Sequence, residues 1–216
     1  MLKRANKSAS TVGAVRSRRA YFDCRFGQLH VRTAFPTTGG FDEQVTLFCL
    51  HPAGSSSRIF SHFLPLAAAQ RSVYAADLPG CGESDPATTA TTTTDAAAAI
   101  ADLAADLRLR QLDVLGYREG SVVAVELALA RPDIVRCIVL MGDVPWQRMP
   151  LVRQPCLGFR LATDAAPTSG QSSKALPNVE VVAASDFPED PFAGSAQALV
   201  GRVDDFLNRH PSVSSR

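Results

Sequence analysis

The sequence predicts a single α/β domain, a twisted and mostly parallel sheet with helices on both faces. Three observations predict it. Several runs are largely apolar and bounded by loops, Val45–Leu50 (VTLFCL) and Val135–Met141 (VRCIVLM) above all, as strands buried on both faces of a sheet are. These runs alternate with segments of helical periodicity, which implies right-handed crossovers between parallel strands. The third is Leu112–Gly120 (LDVLGYREG), an apolar strand that breaks at Gly116, turns tightly through Tyr117, Arg118 and Glu119, and enters a helix at Gly120.

Composition bounds the reading. At 216 residues, with 46% hydrophobic and 20% charged, the chain is long enough for one substantial core and short for two. Its net charge of +1 is unevenly spread: residues 1–20 hold six of the 22 basic residues and none of the 21 acidic ones. The remainder is therefore mildly acidic, which argues against nucleic acid as a partner. Cys24, Cys49, Cys81, Cys137 and Cys156 are odd in number, widely spaced and mostly within apolar runs, the usage of reduced thiols in a cytoplasmic protein. Neither a disulfide framework nor a metal site is expected from that spacing. No apolar run reaches the roughly 20 residues of a membrane span, so no membrane partner is expected.

Residues 1–19 are basic and Ser-rich, and read as a disordered tail or, in a eukaryotic source, a transit peptide. The folded domain is expected over residues 20–210, with a short polar tail at 211–216. Tyr21–Arg25 and Gln28–Phe35 form a hairpin through Phe26-Gly27. Val45–Leu50 ends in His51-Pro52-Ala53-Gly54 and three serines, followed by a helical pattern with Ile59, Phe63, Leu66 and Ala67 on one face. Ser72–Ala76 is the next strand. After the Thr-rich loop of residues 88–94, Thr94 or Asp95 caps an Ala-rich helix over Ala96–Arg108. The strand Leu112–Leu115 and helix Ser121–Ala130 follow, then the strands Val135–Met141, Cys156–Ala162 and Val179–Ala184. Ala196–Asn208 closes the chain as an amphipathic helix with Leu199, Val203, Phe206 and Leu207 inward.

Three local patterns at strand ends carry a resemblance. They are His51-Pro52-Ala53-Gly54, the turn Asp77-Leu78-Pro79-Gly80-Cys81-Gly82-Glu83-Ser84, and Gly116-Tyr117-Arg118-Glu119-Gly120. In this order they resemble the oxyanion loop, the D-x-x-G-x-G-x-S turn and the G-x-S-x-G nucleophile elbow of the α/β-hydrolase family. The likeness covers nearly all of Tyr21–Arg209 and implies an α/β-hydrolase fold. Only Asp143–Gln154 separates two of the strands at the place where lidded members carry an insertion, so no lid domain is expected.

The same resemblance implies a catalytically degenerate member, a pseudoenzyme. The nucleophile position is Arg118, the acid position Asp164 and the histidine position Asp186. A serine triad needs a base to take the hydroxyl proton, and here both nucleophile and base are gone. The expected site is the elbow mouth, with His51, Ala53, Gly54, Ser55, Tyr117, Arg118 and Glu119 as binding residues. There Arg118 either pairs with Asp164 or Asp186, or joins the backbone N–H groups of Glu119 and of Ala53 or Gly54 in an anion site. The expected function is binding of a small ligand, anionic ones included, or of a protein partner, without cofactor. The competing reading is a hydrolase, esterase or lyase with a non-standard set, either His51, Ser55 and Asp164 or Arg118 with Asp186. Asp77 and Ser84 are expected to fix their turn by local hydrogen bonds, and one of Ser55–Ser57 to cap the helix near Arg58.

Overall fold

A computed structural model of the chain describes residues 15–37, 44–87, 91–161, 176–183 and 191–211. Alternation along the central strands sends successive side chains to opposite faces, and this divides the interior in two. Phe48, Leu50, Val114 and Ile138 face one cluster, whereas Leu47, Cys49, Leu115 and Val139 face the other. The strands are β1 (Arg18–Cys24), β2 (Gly27–Ala34), β3 (Thr46–Leu50), β4 (Val73–Ala76), β5 (Leu112–Tyr117), β6 (Val135–Met141), β7 (Cys156–Arg160) and β8 (Val179–Ala183). They form one sheet in the order β1-β2-β4-β3-β5-β6-β7-β8. β2 is antiparallel to both β1 and β4, and the strands from β4 to β8 run parallel.

Helices α2 (Thr93–Asp106) and α3 (Glu119–Ala130) cover the first cluster, and α1 (Phe63–Ala67) and α4 (Ala196–Asn208) the second. The expected architecture is thus the observed one. Three details differ from the expectation. β1 begins at Arg18, with Arg18 and Arg19 paired to Thr33 and Arg32, so the folded chain starts before residue 20. Helix α2 is capped by Thr92, not by Thr94 or Asp95: Thr92 Oγ1 accepts from the Asp95 N–H while the Asp95 carboxylate accepts from the Thr92 N–H. The segment after β3 splits into a 3₁₀ turn over Ser57–Phe60 and the short α1, where Pro65 removes a donor. Ser56 caps that turn, accepting from the Arg58 N–H. Residues 1–14 and 212–216 of the two expected tails lie outside the described residues.

A buried ionic cluster sits where β5 and β6 begin. Asp113, wholly buried in the LDVLG strand, faces α4 rather than α2 and α3. Arg136 grips it with two hydrogen bonds of 2.9 and 2.5 Å. The ladder slips here: Leu112 lies opposite Val135 and Asp113 opposite Cys137, which leaves Arg136 as the extra residue of a bulge. Arg71, itself 1% exposed, lies 3.5 Å from Asp113 and 3.0 Å from Asp204 of α4. Arg136 also donates to the Leu207 carbonyl at 3.2 Å, so the cluster fastens α4 to the sheet.

Candidate functional site

Because β4 lies on one side of β3 and β5 on the other, the chain reverses its direction of winding between β3 and β5. A crevice forms outside the carboxyl ends of strands at such a point. Leu50 of β3 lies beside Gly116 of β5 and beside Ala76 of β4, so the three loops singled out in the sequence meet here.

At the end of β3, His51 is wholly buried. Its Nδ1 lies 2.7 Å from the Pro52 carbonyl, and its Nε2 lies 2.9 Å from the Leu78 amide nitrogen. A carbonyl only accepts and an amide N–H only donates, so the ring is the neutral Nδ1–H tautomer with both nitrogens engaged. Burial pushes its pKa below the ordinary value, against a smaller opposing effect of the Pro52 hydrogen bond. His51 therefore joins the β3 and β4 loops and has no nitrogen left for proton transfer.

At the end of β4, Asp77 is 1% exposed. Its carboxylate accepts from the Ser57 N–H at 2.6 Å and the Glu83 N–H at 2.8 Å, and lies 2.9 Å from His30 Nδ1. Burial alone would raise this carboxyl's pKa; the hydrogen bonds from Ser57, Glu83 and His30 outweigh it and hold the pKa below the ordinary value. The Ser84 hydroxyl donates to the Asp77 carbonyl at 2.7 Å. Asp77 and Ser84 thus fix the turn as expected. Gly82 is obligatory in it, since a Cβ there would fall 2.1 Å from the Asp77 carboxylate. Burial pushes the Cys81 thiol up, which disfavours its thiolate form.

The end of β5 is an elbow in full geometric detail. Arg118 takes φ 50° and ψ −120°, a strained conformation for a residue with a side chain. Its N–H donates to the Met141 carbonyl at 2.7 Å, and its carbonyl accepts from the Ser121 N–H at 2.8 Å. The flanking glycines are required by contact: a Cβ on Gly116 would lie 2.4 Å from the Gly120 carbonyl oxygen, and one on Gly120 would lie 2.2 Å from that of Leu50. Buried Ser121 supports the turn from below, its hydroxyl donating to the Gly116 carbonyl at 2.9 Å.

The half-buried Arg118 side chain lies against Tyr117, its Nε 3.3 Å from the phenol oxygen and its guanidinium carbon 5.4 Å from the ring centroid. Tyr117 in turn stacks edge-on against Phe192 at 5.2 Å, beside Phe60 and Phe63. The Glu119 carboxylate reaches back to the loop after β3 and accepts the Ala53 N–H at 3.3 Å.

Of the expected binding residues, the fold brings Ala53 and Glu119 into contact and sets Tyr117 and Arg118 beside them. His51 is sequestered as a structural link. Gly54 and Ser55 open instead onto a neighbouring cavity of about 460 Å³, shared with Ser56, Arg58, Ile59, Asp77, Gly82 and Glu83. Asp164 and Asp186 lie outside the described residues. Sequence reading missed Glu83, whose carboxylate sits 3.2 Å from Arg58 and 3.9 Å from both Arg19 and His30. Nothing local in the sequence announced that grouping, because its partners come from β1, β2 and the turn after β3. Among the described residues no group of three or more His, Cys, Asp or Glu side chains could hold a metal ion. Nor is any described helix long and apolar enough to cross a membrane.

A family model described as the alpha/beta hydrolase fold matches residues 45–207. The chain belongs to the α/β-hydrolase fold family. It is 32% identical over 198 residues to a protein of Pseudomonas putida named 2-hydroxy-6-oxononadienedioate/2-hydroxy-6-oxononatrienedioate hydrolase 2, covering 88% of this chain and 66% of that protein. A similarly named hydrolase of Cupriavidus pinatubonensis is 28% identical over 195 residues, covering 88% and 67%. The chain thus spans about two thirds of the length of these curated relatives. Among solved structures, naproxen esterase from Bacillus subtilis superposes with a TM-score of 0.75 at 17% identity, over 91% of this chain and 93% of that one. That likeness is one of fold.

Proposed function

We propose that this α/β-hydrolase-fold protein has given up serine-based acyl transfer and uses the elbow mouth to bind a small molecule or a protein partner. The observation that carries the reading is Arg118 at the strained tip of the elbow, where acyl chemistry requires a nucleophile. Two further observations support it. The Ala53 N–H, one of the two loop groups with Gly54 that could serve an oxyanion, is engaged by Glu119, and His51 has both ring nitrogens engaged. A chain with an arginine in place of the nucleophile retains a stable scaffold and a polar crevice without a route to an acyl-enzyme. Five unpaired thiols, with those of Cys137 and Cys156 pushed up to about 12 chiefly by burial, support a reducing cytoplasmic setting.

The second reading, a hydrolase with a non-standard catalytic set, is favoured by the 32% identity to a protein named as a hydrolase. Two assays separate them. On the binding reading, a serine-directed fluorophosphonate leaves the protein unlabelled, and short-chain nitrophenyl esters and a 2-hydroxy-6-oxo dienedioate are not turned over above the uncatalysed rate. Labelling of the unaltered protein, or turnover of either substrate that vanishes in Arg118→Ala, would refute it and favour the hydrolase.

A further inference from the structure

The elbow carries a second charged residue, Glu119, next to Arg118 in the chain. Glu119 is the first residue of α3, where the unpaired N–H groups of the first helical turn favour a carboxylate. From there its Oε2 accepts the Ala53 N–H of the loop after β3, at 3.3 Å. The start of α3 packs directly on this loop, Gly120 sitting so close that even a Cβ would strike the carbonyl oxygens of Leu50 and His51. Glu119 is exposed, and its side chain can leave the Ala53 N–H by rotation about its own bonds. The Arg118 guanidinium lies against Tyr117.

We infer that Glu119 is the specificity-determining residue of the elbow site: its carboxylate occupies the Ala53 N–H as a ligand oxygen would, closing the site to anions and leaving it to uncharged or cationic ligands. An incoming carboxylate or phosphate meets a like charge at the donor it needs and must displace it. A carboxamide loses less, because it brings no charge, and an amidinium gains from the carboxylate it meets. This rests on the binding reading above and narrows it by excluding the anionic class of ligand.

Benzoate, benzamide and benzamidine share a shape and differ in charge, and they make the test. Binding is followed by the backbone amide signals of Ala53 and its neighbours in the 15N-labelled full chain, for the parent, Glu119→Gln and Glu119→Ala. Without ligand, the Ala53 amide proton shifts upfield in Glu119→Ala as it loses the carboxylate. With ligand, benzoate binds both variants about tenfold or more tightly than it binds the parent, and benzamidine binds them more weakly. An Ala53 amide indifferent to Glu119→Ala overturns the inference. So does a benzoate affinity that gains less on either variant, including no binding at all. Ester turnover or fluorophosphonate labelling of the parent would instead defeat the binding reading, a result this titration cannot mimic.

Discussion

Asp113→Asn removes one charge from the interior and leaves the shape of the side chain nearly intact. Asp113 is wholly buried, and the cations it faces, Arg71 and Arg136, have side chains 1% and 11% exposed. Removing one partner of a buried ion pair costs about 3–5 kcal/mol, because the remaining charge stays in the interior without compensation. Here Arg71 keeps Asp204 at 3.0 Å, and Arg136 keeps the Leu207 carbonyl at 3.2 Å. The loss should therefore fall at the lower end, about 3 kcal/mol, and lower Tm by about 6–12 °C for a chain of this length. Urea denaturation followed by far-UV circular dichroism measures it, with an unchanged m-value showing that the two states keep their exposed areas. A loss below about 1 kcal/mol, the magnitude of a solvent-exposed pair, would refute the account of the cluster as a desolvated anchor. Since the cluster lies at the start of β5 and β6, and the elbow at their far end, ligand titrations at Ala53 should be unaffected.

Two further outcomes follow from the geometry. Gly120→Ala forces a methyl group to within 2.2 Å of the Leu50 carbonyl oxygen, so it should destabilise the chain by about 3 kcal/mol, and a change within experimental error would show that α3 can slide away from β3. His51 carries a folded-state pKa lowered mainly by burial, so the unfolded chain takes up the proton first. Its contribution is complete above about pH 6.5 and is lost as the pH falls below that value, at up to about 1.4 kcal/mol per pH unit, until the folded ring protonates in turn. Urea midpoints measured from pH 7.5 to 5 should show that slope in the parent and a shallower one in His51→Asn; equal slopes would mean that His51 is not held neutral.

What the sequence determined by itself was everything written in local periodicity. The strand runs of β3, β6 and β7, the helix α4 and the Gly-x-x-x-Gly spacing of the elbow all follow from which side chains must be hidden and where the backbone needs room. The elbow prediction holds to the atom at Gly116 and Gly120, because close approach of a strand and its following helix leaves no alternative residue type. The loops at the ends of β3, β4 and β5 could be placed together for the same reason, since each follows a strand of one sheet.

Tertiary structure alone decided the partners of the charges. Asp113 reads as an interruption in an apolar strand, and only the folding of α4 over the sheet, with a bulge that turns Arg136 towards it, makes it the centre of a buried cluster. His51 reads as a candidate acid or base until the Leu78 amide and the Pro52 carbonyl take both its nitrogens. Glu119 reads as one more elbow residue until its carboxylate is found on Ala53, a residue 66 positions earlier in the chain. Periodicity records which way a side chain faces. The identity of a polar partner depends on distances between segments far apart in the chain, and those distances exist only after the core has closed.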